Sequence, residues 1–465
     1  MRSRGFAALV GTIGASFALL ALGAGSATAA PYHSFVPHRF AQPPTTADCE
    51  SQIGIECYQP FQLQRAYDMD PLYHAGLTGT GKTIVLVDSY GSPTINSDLT
   101  TFDDETNLPA PPSFKVIQPA GSVPPYDPTN YDMGGWGFET SLDVEYAHAM
   151  APGANILLVE TPVDETLGVQ GFPQMVEAEN YVIDHRLGDV ISQSFGATEQ
   201  TFPSKFSILA LRSAYFNALF HRVTVLSASG DGGATDQSAY DASTGAVNYY
   251  PFRVDSWPSS DPLVTSVGGT QLHLDANGNR TAPDNVWNDT ALLGGPAAGG
   301  GGVSTVFARP FFQSGVTHVV GSARGNPDVS MSAAVDGGVV VYLGYTNTAY
   351  GVSPGWYVVG GTSEATPVFS GIVAIADQAA HHDLGWLNPT LYALGDGSGS
   401  GIADVTAGNN SVFGTQQLPP VAGQTFSVSG FDAESGYDLA SGLGTADGAR
   451  LVGALAGFRQ YGARH

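Results

Sequence analysis

What most constrains the fold of this chain is a series of short apolar, β-branched runs separated by helical stretches. Residues 83–88 (TIVLVD), 155–160 (NILLVE), 189–194 (DVISQS) and 222–229 (RVTVLSAS) read as buried parallel strands. Between them lie helical stretches at 139–150, stopped by Pro152, at 173–185 and at 205–220. Strand-helix-strand repetition predicts an α/β fold with a mainly parallel central sheet and helices on both faces. Such folds gather their active sites at the carboxyl ends of the strands. The glycine-rich run 294–302 (GGPAAGGGG) reads as a mobile loop.

Charge narrows the partners. Seventeen Lys+Arg against 42 Asp+Glu give a formal net charge of −25, and protonating all 11 His would still leave the chain acidic. A phosphate backbone needs a basic face to displace its counterions, so nucleic acid is excluded as a partner. Mildly acidic surroundings suit this balance. At the N-terminus, Arg2 and Arg4 precede an apolar run that ends in Ala27-Thr28-Ala29. That pattern is a signal peptide over 1–29, so the mature chain is expected to be secreted, extracellular and free of the membrane. Cys49 and Cys57, the only cysteines, suit a local disulfide in an oxidising compartment. Residues 30–58 read as a short N-terminal extension, and 59–460 as one domain.

A letter-for-letter phosphate-loop match, Gly76-Leu-Thr-Gly-Thr-Gly-Lys82-Thr83, is rejected on context. That loop must follow a strand and open a helix, so that backbone N–H groups face the phosphates. Here a helix-like stretch (61–74) comes first and a strand follows, so the match is a glycine-rich turn.

Chemistry concentrates in three strings. In Gly360-Gly361-Thr362-Ser363-Glu-Ala-Thr-Pro367 a serine sits at the start of an apolar helical run, where N–H groups and the helix dipole stabilise developing negative charge. Taken alone, such a serine is more commonly an N-cap. The string has the shape of a subtilisin-like nucleophile turn, yet no His is followed by Gly, so the histidine base segment is missing. In its place, Glu139 and Asp143 lie four apart in the 139–150 helical stretch, on one face and close enough to share a proton. Shared protonation splits their titrations and leaves one able to accept a proton in acid. The third string, Ser227-Ala-Ser-Gly230-Asp231-Gly232-Gly233, ends a strand. Asp231 stands where a subtilisin carries its oxyanion-hole asparagine, and a carboxyl there must be protonated to donate.

Together with IVLVDSYG (84–91), SQSFG (192–196), GGGVSTVFARPFFQ (300–313) and NPDVS (326–330), this set resembles the sedolisin family of serine-carboxyl peptidases, over residues 58–451. The resemblance implies a subtilisin-like fold over the 59–460 domain and an acid peptidase acting on protein or peptide substrates; the chain is expected to be a monomer. It assigns Ser363 as nucleophile, Glu139 as general base and acid, Asp143 as its partner and Asp231 as oxyanion stabiliser. It further implies that Ser192, Ser194 and Gly196 form an edge pairing with extended substrate, and that Trp136 lines the cleft. Asp88 and His148 read as structural. One structural Ca2+ is implied, held by the side chains of Asp404 and Asp438 and the carbonyls of Val405, Glu434 and Gly436. The competing reading is a catalytically inactive peptide-binding protein of the same fold.

Overall fold

The computed structural model describes residues 33–395 and 399–457. The signal-peptide segment 1–29 and the last residues of the expected domain, 458–460, lie outside the described residues.

The expected parallel sheet is present and larger than the four runs. Its order is Ile402–Ala403, Thr445–Ala446, Val329–Ser332, Thr265–Gln271, Thr224–Ala228, Val190–Gln193, Thr83–Ser89, Asn155–Thr161 and Phe114–Ile117, with Asn285–Val286 pairing Thr265–Gln271. Pairing is parallel from Phe114–Ile117 through to Thr445–Ala446, and antiparallel only for Ile402–Ala403 and Asn285–Val286. Alternation along Thr83–Ser89 divides the core. Ile84 and Leu86 pack with Phe138, Leu142 and Ile372 on one face, and Val85 and Val87 with Met175, Val182 and Tyr215 on the other. From Thr83–Ser89 the chain goes first to Phe114–Ile117 and Asn155–Thr161 on one side and then to Val190–Gln193 on the other. That reversal opens a crevice at the carboxyl ends of these strands, which is where ligands of such folds sit.

Two helices on the first face carry the chemistry. Tyr131–Met150 starts at Tyr131, earlier than the expected residue 139. Its first turns hold Gly134, Gly135 and Gly137, poor helix formers by propensity. Tertiary packing overrides propensity here. A Cβ at Gly134 would meet Tyr350 Cβ at 2.5 Å, so only glycine lets the helix close on Tyr350, and the Asn130 side chain caps the Met133 amide. The second helix, Thr362–Ala380, follows directly on the strand Gly355–Gly360. The expected helix 205–220 breaks into Lys205–Ala210 and Ser213–His221. Between them Arg212 turns inward and grips buried Asp261 through two hydrogen bonds of 2.5 and 2.8 Å.

Two expectations require correction. Residues 34–58 are not an appendage to the domain. Ser34–Phe40 and Cys57–Tyr58 form the two edges of a second sheet, in the order Ser34–Phe40, Gly355–Gly360, Gly338–Leu343, Cys57–Tyr58, and Cys49 and Cys57 are disulfide-bonded. The run 294–302 is not a free loop either, because residues 296–302 are buried. A Cβ at Gly300 would stand 2.2 Å from the Ser229 carbonyl oxygen, so glycine lets this run pack against the turn before Asp231.

The glycine-rich turn before Thr83 enters a strand, as its context required. Gln378 Oε1 accepts the amides of Thr78, Gly79 and Thr80 at 2.9, 2.8 and 3.1 Å, and Lys82 pairs with Asp383. Both the N–H groups and the ammonium of the phosphate-loop look-alike are therefore already engaged. Among the described residues no helix is long and apolar enough to cross a membrane.

Candidate active site

Ser363 is the second residue of Thr362–Ala380. Gly361 precedes it with φ 133°, a conformation that glycine takes at little cost, and its amide donates to the Ala333 carbonyl. The Ser363 hydroxyl is buried, lies 3.5 Å from the Ser194 carbonyl oxygen and interacts with the Glu139 carboxyl. Glu139 and Asp143, one helical turn apart, are also fully buried. Asp143 Oδ1 accepts from the Ser194 hydroxyl at 2.9 Å. Asp231 approaches from the turn after Thr224–Ala228. Its Oδ1 accepts both the amide and the hydroxyl of Thr362 at 2.8 Å, while Oδ2 is buried with no protein partner. Three separate stretches of chain therefore bring Ser363, Glu139, Asp143 and Asp231 into one centre.

Desolvation dominates the electrostatics. Burial pushes the Glu139 carboxyl up to about 8, opposed by the Ser363 and Ser194 hydroxyls. Burial raises Asp143 far above the usual carboxylate range, and the neighbouring Asp88 and Glu139 charges raise it further. Asp231 is raised by burial first and by Glu139 among lesser causes, against the Thr362 hydrogen bonds. Among the described residues no Lys or Arg forms an ion pair with any of these carboxyls. Burial therefore favours the uncharged form of all three carboxyls, and Asp231 Oδ2 is the oxygen of that carboxyl left without a hydrogen-bond partner.

Asp88, expected to be structural, is the next-to-last residue of the strand Thr83–Ser89 and lies inside this acid cluster, where burial first and then the Glu139 charge raise it and its own charge raises Asp143. His148 is a packed residue as expected, with Nε2 2.7 Å from the Pro109 carbonyl oxygen. The substrate-binding expectations fare differently. Ser192 lies inside the sheet, paired with Leu86 on one side and Leu226 on the other, so it offers no edge to a substrate. Gly196 is buried and its amide serves the Glu165 carboxyl. Ser194 donates to Asp143 and its carbonyl faces the Ser363 hydroxyl, and so it belongs to the same buried cluster. Trp136 is fully buried in the second core cluster and lines no open cleft.

Two residues of the centre carried no role in the sequence reading. Thr362 stood inside the quoted string, and only the fold reveals it as the partner of Asp231. His33 lies 106 positions before Glu139, with Nδ1 2.6 Å from Glu139 Oε2 and Nε2 2.8 Å from the Tyr350 hydroxyl. Its ring stacks on Phe138 with centroids 4.9 Å apart. No local pattern announces it, because its place is set by the pairing of Ser34 with Gly360.

Known proteins resemble this chain in sequence and in fold. The sequence model of the subtilase family matches residues 133–394. Kumamolisin of Bacillus sp. strain MN-32 is 30% identical over 407 residues, covering 86% of this chain and 63% of that protein. Sedolisin of Pseudomonas sp. strain 101 is 27% identical, over 85% of this chain and 60% of its own. Human tripeptidyl-peptidase 1 is 30% identical over 66% of this chain and 50% of its own length. The chain thus spans between half and two thirds of the length of these relatives. The solved structure of Pseudomonas sedolisin, a serine-carboxyl proteinase complexed with two molecules of pseudo-iodotyrostatin, superposes with a TM-score of 0.68 at 25% identity, over 86% of this chain and 98% of that one. By sequence and by fold, this chain belongs to the subtilase family and, within it, to the sedolisin group.

Proposed function

We propose that this chain is a secreted, acid-active serine-carboxyl peptidase that hydrolyses peptide bonds of protein or peptide substrates as a monomer. The observation that carries the reading is the convergence of a serine, a carboxyl pair and a third carboxyl with an unpartnered oxygen. Ser363 Oγ attacks the scissile carbonyl carbon and its proton passes to Glu139. The carbonyl electron pair moves onto oxygen, where the Asp231 Oδ2 proton meets it. The C–N bond then breaks as Glu139 returns the proton to the leaving amine, and water repeats the sequence to free the acyl group. Asp143, held by Ser194, keeps a second proton in the carboxyl cluster one helical turn from Glu139.

Asp231 provides the direct test. Asp231→Ala is expected to lower kcat/KM by roughly 10²- to 10³-fold, the usual effect of losing one oxyanion donor. Asp231→Asn keeps an N–H donor that does not titrate, and its carbonyl still accepts from Thr362. Activity of that variant should therefore persist to higher pH than in the parent. A pH profile of peptide hydrolysis for the three proteins checks this, and an unchanged Asp231→Ala profile refutes the oxyanion role.

Calcium belongs to the same proposal. Asp404 Oδ2 accepts the Gly436 amide and Asp438 Oδ2 the Glu434 amide, each at 3.0 Å, so the two carboxyls bracket one turn. Asp404 Oδ1 is buried without a partner. Neither carboxyl is ion-paired among the described residues. Asp438 Oδ1 also accepts the Ala440 and Ser441 amides at 2.9 and 2.8 Å, so the unpartnered Asp404 Oδ1 is the oxygen that suits a hard cation with oxygen ligands. The side chains of Asp404 and Asp438 and the carbonyls of Val405, Glu434 and Gly436 would hold it, and it would brace the C-terminal turns. Two side chains and three carbonyls form such a set, which is compatible with the absence, among the described residues, of any cluster of three metal-binding side chains. Millimolar Ca2+ against a chelator is expected to raise the Tm by about 2–6 °C, the shift for binding at tens to hundreds of times Kd. Asp404→Asn should abolish that increment in a calorimetric scan.

A further inference from the structure

We propose that His33 is a positioning residue of this centre, a proton acceptor for Glu139 that keeps one of its carboxyl oxygens ready for the Ser363 proton. The inference rests on the peptidase reading and deepens it. A single strand places both partners: Ser34 pairs with Gly360, the last residue before the turn to Ser363, so His33 stands level with that turn. His33 Nδ1 takes Glu139 Oε2 at 2.6 Å, and Oε1 is left buried with no bonded partner, available to the serine. The Tyr350 hydroxyl on Nε2 and the Phe138 face under the ring fix the imidazole in that orientation.

The chemistry needs such a group. Burial keeps Glu139 protonated up to about 8, and a protonated carboxyl is no base. Burial equally keeps His33 neutral down to about 3, so its Nδ1 lone pair is available throughout the acid range. The other titratable groups facing the pair are Asp88 on Thr83–Ser89, Asp143 on the helix of Glu139, Asp231 on the turn after Thr224–Ala228, and Tyr350. The three carboxyls are raised by burial, hence protonated in acid, and none is a better acceptor than imidazole. As the Ser363 Oγ–carbon bond forms, the serine proton goes to Glu139 Oε1 and the Oε2 proton moves to His33 Nδ1. When the C–N bond breaks, Oε1 gives its proton to the amine and Nδ1 returns its proton to Oε2, so charge and protons balance over the cycle.

The test compares wild type, His33→Gln, Tyr350→Phe and Ser363→Ala by kcat and KM for a peptide substrate between pH 3 and 8, with a Tm for each. His33→Gln is expected to lose roughly 10²-fold in kcat at pH 4, the lower end for a proton-transfer group, with little change in KM. Its acid limb should move up by a unit or more, because Glu139 must then ionise unaided. Tyr350→Phe deletes one hydroxyl and should shift the limb in the same direction by less. Higher activity in His33→Gln would mean that the N-terminal strand blocks the site, and an unchanged profile would mean that His33 only packs; either overturns the proposal. If Ser363→Ala retains activity, the peptidase assignment itself fails. A turnover-independent readout is the imidazole 15N spectrum at pH 5: a neutral His33 ring protonated on Nε2 supports the proposal, and a doubly protonated ring refutes it.

Discussion

Ser363→Ala should abolish cleavage of denatured protein at about pH 4, lowering kcat by at least about 10⁴-fold, as loss of the nucleophile does in serine peptidases with an intact oxyanion site. The substitution removes one buried oxygen held by a 3.5 Å contact to the Ser194 carbonyl and by its interaction with the Glu139 carboxyl. The fold should therefore keep its Tm within a few degrees, and loss of activity would report chemistry and not collapse. Glu139→Gln should produce a loss of similar size, because an amide takes no proton from the serine. The competing reading, a binding protein that has lost catalysis, expects wild type and Ser363→Ala to be equally silent in this assay. Hydrolysis by wild type alone eliminates that reading, and hydrolysis by both eliminates the assignment of Ser363.

The second large effect is on stability. The Tm is expected to be highest in mild acid and to fall by on the order of 10 °C between pH 6 and 9, since each kcal/mol costs roughly 2 °C in a large domain. Burial raises Glu139, Glu179 and Asp377 to about 8 and Asp98 and Asp289 to about 6. It also raises Asp88, Asp143, Asp231, Glu145, Glu165 and Glu364 far above their usual range. Unfolded, these carboxyls ionise near 4. Between there and the folded values the native state binds more protons than the unfolded one, so stability falls as pH rises. His33 works in the opposite direction: lowered from 6.5 to about 3, it makes the native state bind fewer protons in that window. One imidazole flattens the acid side of the curve, but it contributes nothing above its unfolded value, where the carboxyls act alone. Calorimetric scans at intervals across this range test the shape, and a Tm that climbs from pH 6 to 9 would contradict the protonated state of the cluster.

Local chemistry in the chain was enough for the α/β class, the strands around Thr83–Ser89 and the four side chains that the fold gathers into one buried centre. Apolar runs of strand length, glycine turns at their ends and an i,i+4 carboxyl pair are short-range patterns, legible wherever neighbours in sequence are neighbours in space. The exclusion of a phosphate loop was legible for the same reason, because it depends on what directly precedes and follows Lys82. Where sequence reading fell short, the deciding contact was distant. The helix of Glu139 starts at Tyr131 because Tyr350 presses on its glycines, and the run at residues 296–302 is buried because the Ser229 turn lies against it. Ser192 is sealed within the sheet by strands from both sides. Residues 34–58 join the fold through partners some three hundred positions away, and with them comes His33, which gives a histidine to a centre whose sequence pattern lacked one. Residue types and their spacing therefore determined which groups could react. Only tertiary packing decided which of them share a desolvated space, and that burial sets the protonation on which the chemistry depends.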